Sequence, residues 1–430
     1  MVIMMIKERI KLNLTTVKKD IIAGITSFFA ISYIVIVNPL ILSDAGIPAS
    51  LSVFATIFSS ALGCLIMALW ADSPIIITPG MGVNAFFTYT VVVGMKLDWQ
   101  QAVAISIFSS LIYLLIAFSK VSDYLAAKIP ASLKTGITVG IGLFLVTIGL
   151  EKAHLIKSGG KQALLAPGNL TDPTALLSLA GLIITLIFFL KKIPGGFILG
   201  IISTSLIALV LNISQEKTTD ISLSQLGSYG QLLFKGDFSQ FLSLKFLLAV
   251  FSMTMILVFE SMGILEGLLT DKSKFKRSFQ ASAVATFMSG FLGTSPTVAA
   301  AESASGIESG GKSGVVSLTA GLLFLASLFG ISLLAYVPEA AIAPVIIITG
   351  ALMMKNLASI NYNDFTDWFP SFLIIVLIPL TGSISTGLAF GFVSYPLVKL
   401  IVGKHVEVEP ILYLLGSLFL IELICNAVLV

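Results

Sequence analysis

Charge is the scarcest commodity in this 430-residue chain: 11% of its residues are Asp, Glu, Lys or Arg, whereas 57% are hydrophobic. Soluble domains carry about 25% charged residues, so a water-facing globular surface is excluded and a bilayer is the solvent that fits. Cysteine is nearly absent. Cys64 and Cys425 sit in apolar runs far apart in sequence, which excludes a disulfide framework or a cysteine zinc site and leaves two small buried hydrophobes. Two histidines, His154 and His405, cannot form an HExxH site, so a His-based metalloenzyme is excluded, and no metal or cofactor is expected. The net charge of +3 includes no basic run long enough to follow a phosphate backbone, so no nucleic-acid partner is expected. Residues 1–19 carry Lys7, Arg9, Lys11, Lys18 and Lys19 without the apolar core or cleavage site of a secretory leader. They read as a cytoplasmic tail held inside by its charge.

What the chain has is apolar runs bounded by turn residues. Spans are expected near 20–43, 50–70, 74–94, 98–118, 131–150, 173–190 and 194–212. A polar, external stretch at 214–243 interrupts them. Further spans follow near 244–269, 278–293, 295–308, 312–336, 338–355, a Pro/Gly-broken region 366–402, and 410–429. Basic residues cluster in the short loops around 120–134, 191–192 and 272–277, which assigns those loops to the cytoplasm. Lys399 and Lys404 obey the same rule if 366–402 is two short helices and break it if it is one span. The small-residue pairs Gly136/Gly140 and Gly387/Gly391 point to close helix packing.

The halves 20–213 and 244–430 each hold one broken segment, third in order. In the first, Pro74, Pro79, Gly80 and Gly82 cannot support a continuous helix, and Ile75, Ile76 and Ile77 favour extended chain. A short strand is expected, then a half-helix starting near Met81 with Asn84 in its first turn. In the second, Pro296 ends a helix, Thr297 and Val298 extend, and small residues from Ala299 to Ser305 surround Glu302. Interrupted segments in corresponding positions are the sequence mark of inverted repeats whose breaks build a binding site. Non-helical backbone at membrane depth must pair internally or line a polar cavity.

Two carboxylates complete the candidate site. Fourteen uncharged residues, 246–259, precede Glu260, and an ionised carboxylate at mid-membrane costs about 2.5–3.5 kcal/mol on insertion scales, so it needs a use. Glu302 is the second; Glu266, near the cytoplasmic loop, reads as a solvated end residue. With no intramembrane Lys or Arg expected beside them, Glu260 and Glu302 suit a cavity that accepts N–H donors or protons, and proton coupling is expected at both. One motif misleads. Residues 306–313 fit the P-loop pattern GxxxxGK[ST], but they lie between two membrane segments, so a tight cytoplasmic turn is expected there instead.

At this point the residues resemble a family. Residues 78–90, reading Thr-Pro-Gly-Met-Gly-Val-Asn-Ala-Phe-Phe-Thr-Tyr-Thr, are similar to the third-segment signature of azaguanine-type purine permeases of the nucleobase:cation symporter family. The opening stretch 22–46, Gly293 to Ser295, Glu302 to Gly306 and Gly310 to Lys312 are similar as well. The resemblance implies an all-α polytopic membrane protein of about 14 transmembrane segments. These would form two inverted repeats of seven, with broken segments 3 and 10 carrying short strands, in a uracil-permease-like fold. It implies a core domain (20–118 and 244–336) and a gate domain (131–213 and 338–430) that can form a homodimer. It implies a multi-pass carrier in the cell membrane, not an enzyme, with a purine nucleobase (adenine, guanine or hypoxanthine) as cargo and a proton or Na+ as coupling ion. Carried over by position, Glu302 hydrogen-bonds the base, Glu260 is the eighth-segment acid, Asn84 is a polar contact, and N–H groups near Ala301 and Gly82 meet base carbonyls. The chain departs from the family where it reads Glu260, Ser261, Met262, Gly263, Ile264 and Leu265 in place of Asp-Thr-x-Gly-Thr-Leu. The rivals are another cargo on the same fold, such as uracil, xanthine or an anion, and a membrane-embedded enzyme, for which no nucleophile–base pair or metal cluster is found.

Overall fold

The computed structural model describes residues 14–160, 163–213 and 221–429. Lys7, Arg9 and Lys11 of the basic tail and residues 214–220 of the polar stretch lie outside them. Among the described residues, nine helical segments are long and apolar enough to cross a membrane, and four shorter apolar helices accompany them.

The expected first span is one apolar stretch, Thr16–Asp44, in which a turn at Ser32 and Tyr33 joins α1 (Leu14–Ile31) to α2 (Ile34–Asp44), and the Tyr33 ring is fully buried. Next come α3 (Ala49–Ile66), β1 (Ile77–Pro79), α4 (Met81–Ala85) and α5 (Trp99–Phe118). A π-helical stretch, Phe86–Gly94, continues α4; such widened turns recur at functional sites. They are followed by α6 (Val121–Lys128), α7 (Ala131–Lys152), α8 (Pro173–Leu190) and α9 (Gly196–Val210). Between α7 and α8 lies a small hairpin, β2 (Ile156–Ser158) with β3 (Leu165–Pro167). The second half holds α10 (Leu244–Leu268), α11 (Phe275–Phe291), β4 (Thr297–Ala299), α12 (Ser303–Glu308), α13 (Gly314–Ala326) and α14 (Glu339–Met354). It ends with α15 (Phe365–Thr381), α16 (Ile384–Ile401) and α17 (Pro410–Leu429).

The region 366–402 is therefore two helices. Gly382, at φ +64°, takes the left-handed conformation that ends α15, and Ser383 Oγ caps α16 by accepting from Thr386 N at 3.2 Å. Both small-residue pairs face α15. A Cβ on Gly136 or Gly140 of α7 would approach Ser371 Cα and Ile374 O to 3.1 Å, and one on Gly391 of α16 would meet Pro370 O at 3.1 Å. Without side chains there, the backbones approach closely enough for dispersion to hold the bundle.

Two sets of helices emerge from the packing. In one, α1 lies against α12 and α13, α3 against α2, α11 and α13, and α5 against α10 and α11. In the other, α7 lies against α14 and α15, α8 against α9 and α14, and α16 against α15 and α17. The described part of the polar stretch is not a free loop: Tyr229 donates from its hydroxyl to Leu292 O at 2.8 Å, and Leu232 is buried.

The breaks meet as expected, with one shift. The paired strand begins only at the last of the isoleucines and covers Ile77, Thr78 and Pro79, because pairing to β4 selects its register. It runs antiparallel, Ile77 opposite Ala299 and Pro79 opposite Thr297. Gly80 N donates to Pro296 O at 3.2 Å, Ala300 N to Ile76 O at 2.9 Å, and Ile76 N to Ser303 Oγ at 2.9 Å. Polar backbone that hydrocarbon could not satisfy is thus paired inside the protein. Gly80 is required by space, since a Cβ there would lie 2.4 Å from Val298 Cγ2. Gly80→Ala is expected to lower the melting temperature of the detergent-solubilised protein by several degrees, the effect of about 1–3 kcal/mol of overpacking. Gly227→Ala, where nothing lies within 4 Å, should leave it unmoved; equal behaviour of the two would contradict the steric account.

Candidate functional site

Antiparallel pairing sends the two half-helices away from the strand pair in opposite directions. Their N-termini therefore sit at opposite ends of a ladder only three residues long. The first N–H groups of α4, including that of Gly82, have no partner within the helix, because the first intrahelical bond runs from Asn84 N to Gly80 O at 2.8 Å. Across from them runs α10, packed against α4, β4 and α12.

This arrangement gathers the residues expected from the sequence. Glu260 is 5% exposed on α10, and its Oε2 has no hydrogen-bond partner among the described residues. Gly82 faces it: a Cβ on Gly82 would lie 3.3 Å from Glu260 Oε2. Asn84 is fully buried, with both amide atoms unpartnered among the described residues. Ala301 is exposed in the turn between β4 and α12, and Glu302, beside it, is half-buried. Glu302 also interacts electrostatically with Glu260, so the two acids share one field. Buried polar atoms are normally satisfied, and each exception asks for a reason. Here the bare Glu260 oxygen faces Gly82 in the first turn of α4, and both ends of the Asn84 amide, on the same short helix, are buried without a partner among the described residues. Glu266 is tied to Lys134 at 3.1 Å, as befits an end residue.

Sequence reasoning missed Tyr33. Its hydroxyl donates a short hydrogen bond to Glu302 Oε1, across 269 positions of chain. Thr349 of α14 in turn donates to the Tyr33 oxygen at 3.4 Å, and Phe197 packs edge-on against the ring at 5.4 Å. Tyr33 thus joins the acid of one helix set to α9 and α14 of the other. No local signal marked it, because only the fold brings it to Glu302. Tyr33→Phe removes one hydrogen bond to a carboxylate, worth about 1.5–3 kcal/mol, so cargo affinity should fall roughly 10-fold or more in equilibrium binding. Unchanged affinity would show that Glu302 needs no orienting donor.

Behind the site, Asn38 of α2 donates to Thr56 Oγ1 at 2.8 Å and Thr294 Oγ1 at 3.1 Å, and accepts from Ser295 Oγ at 3.3 Å. This buried network fixes the turn before β4. The P-loop-like stretch is bound elsewhere: Lys312 N donates to Asp20 Oδ1 at 2.9 Å, Ser313 Oγ to Asp20 Oδ2, and Gly314 N to Asp72 Oδ1 at 2.9 Å. Two carboxylates occupy the donors that a phosphate would need, so the motif is a turn.

Broken helices meeting beside buried acids, between two sets of membrane helices, define a membrane transporter. The chain belongs to the Permease family, whose match covers residues 18–390. It is a multi-pass membrane protein and a permease, not an enzyme, and the family expected from its motifs is borne out. It is 41% identical to the nucleobase transporter PlAzg2 of Paenibacillus larvae, over 88% of this chain and 77% of that one. It is 36% identical to the guanine/hypoxanthine permease PbuO of Bacillus subtilis, covering 95% and 98%. With the adenine permease AdeP of Escherichia coli it shares 34% identity, covering 95% and 93%. The fold alone is shared with the solved transmembrane domain of a cyanobacterium bicarbonate transporter, BicA. There the TM-score is 0.65 at 18% identity, over 89% of this chain and 98% of that one.

Proposed function

We propose that this protein is a secondary active transporter that imports purine nucleobases across the cell membrane, by proton symport, with its N-terminus in the cytoplasm. The observation that carries the reading is that Glu260 Oε2, which faces Gly82 of α4, and both atoms of the Asn84 amide are buried without a partner among the described residues. A purine ring offers N–H donors to Glu260 and Glu302 and ring or carbonyl acceptors to Asn84, Gly82 and the turn at Ala301. The relatives named for adenine, guanine or hypoxanthine support the same class of cargo. An anion, the cargo in the name of the bicarbonate transporter, would meet two carboxylates and no cation in this site, which argues against it despite the common fold. Uracil and xanthine remain rival cargoes in the uptake test.

In this reading the core (20–118 and 244–336) moves against the gate (131–213 and 338–430), through which two copies pair as a homodimer. Glu260 and Glu302 carry the coupling proton, since an ionised carboxylate with a bare oxygen is costly in the membrane interior and a proton or a cargo N–H relieves it. The test is uptake of radiolabelled adenine, guanine, hypoxanthine, xanthine and uracil by the purified protein in liposomes. Purine uptake should rise several-fold under an imposed inward proton gradient and fall back when an ionophore collapses it. Absence of purine uptake would overturn the cargo; uptake that ignores the proton gradient and follows a sodium gradient would overturn the coupling ion.

A further inference from the structure

A third carboxyl lies deep in the helices and takes no part in the site. Glu422 of α17 is 0% exposed, within an apolar helix. Ser252 Oγ of α10 lies 2.8 Å from Glu422 Oε1, Ser385 Oγ of α16 makes a short contact to the same oxygen, and the two serine oxygens are 2.9 Å apart. Three oxygens in mutual contact make three edges, and each edge needs one proton. Two serines supply two. A neutral acid supplies the third and closes the ring, donating to one serine while accepting from the other. An ionised carboxylate would leave two oxygens facing each other with no proton between them, in a buried place where such a pair is costly. Glu422 Oε2 also has no partner among the described residues, which suits the carbonyl of a neutral acid better than one end of an anion.

Aromatic rings join the same three helices. Phe251 and Phe259 of α10, Phe392 of α16 and Phe419 of α17 form a continuous aromatic cluster. Its centroid distances are 4.7 Å for Phe251–Phe419, 5.1 Å for Phe392–Phe419 and 5.5 Å for Phe259–Phe392. The other ionisable residues of the three helices are Lys245, Glu260 and Glu266 on α10, Tyr395 and Lys399 on α16, and Tyr413 and Cys425 on α17. All but Cys425 stand about two turns or more along their helix from the triad residue, and no ion pair reaches Glu422 among the described residues.

We propose that Glu422 is a second proton-binding site, separate from the cargo site, whose protonated form clamps α10 to α16 and α17. Ser252 precedes Glu260 by eight residues, about 12 Å along α10, so the helix that carries a site acid is also the one held by the clamp. Any movement of α10 past α16 and α17 opens the ring and exposes the proton. The inference does not depend on what the cargo is.

Infrared spectroscopy of the purified protein in lipid film, near neutral pH and without cargo, tests it. The wild type minus Glu422→Gln spectrum should show loss of one neutral-carboxyl C=O band. Ser252→Ala/Ser385→Ala, which keeps the acid but removes its partners, should keep that band and shift it. Loss of carboxylate bands instead in Glu422→Gln, or an unshifted carboxyl region in the double serine variant, would overturn the proposal. The serine pair decides the matter alone if the glutamine variant fails to fold.

Discussion

Glu302→Gln is expected to abolish cargo uptake while leaving a folded protein in the membrane. The carboxylate receives the Tyr33 hydroxyl and sits half-buried at the turn that opens α12. Glutamine keeps the volume, the Tyr33 acceptor and the turn, so folding has little to lose. It replaces one acceptor oxygen by an NH2 donor, which faces a cargo N–H with another N–H. Losing one charge-assisted hydrogen bond and leaving its donor unsatisfied costs about 3–4 kcal/mol together, a fall of two to three orders of magnitude in binding. Uptake in permease-deficient cells, normalised to membrane protein and paired with a melting curve, measures both halves. Full activity at normal abundance would remove Glu302 from the site.

Gly82→Val should be nearly as severe, for a steric reason. A Cβ at Gly82 would already lie 2.7 Å from Ile141 Cγ2 of α7 and 3.3 Å from Glu260 Oε2. The two further methyl groups of valine would enter the space before Glu260 that the proposed cargo site uses. Binding should fall about 100-fold or more, and the collision with Ile141 should add roughly 1–3 kcal/mol of destabilisation. The companion Ile141→Ala separates the two effects: it should restore the melting temperature of Gly82→Val without restoring binding. Recovery of binding by Ile141→Ala would mean that Gly82 matters for packing alone.

Much of the site was legible because membrane chemistry is strict. A carboxylate inside an apolar run is expensive, so Glu260 and Glu302 stood out singly, and proline and glycine clusters marked both breaks. Glu422 obeys the same rule, as the one charged residue in its final apolar run, yet it went unread beside the two acids that had motifs around them. The first span stands as one stretch, Thr16–Asp44, long and apolar enough to cross a membrane; what hydropathy could not show is the turn at Ser32 and Tyr33 inside it.

The sequence by itself determined the solvent, the two broken segments and two of the acids, since each follows from the local cost of charge or of unpaired backbone in hydrocarbon. The tertiary structure decided which residues meet. The β1–β4 register, the Tyr33–Glu302 bond and the Ser252–Ser385–Glu422 ring join positions 37 to 269 residues apart. Contacts over such separations are set by how helices pack, which no local pattern of residues encodes.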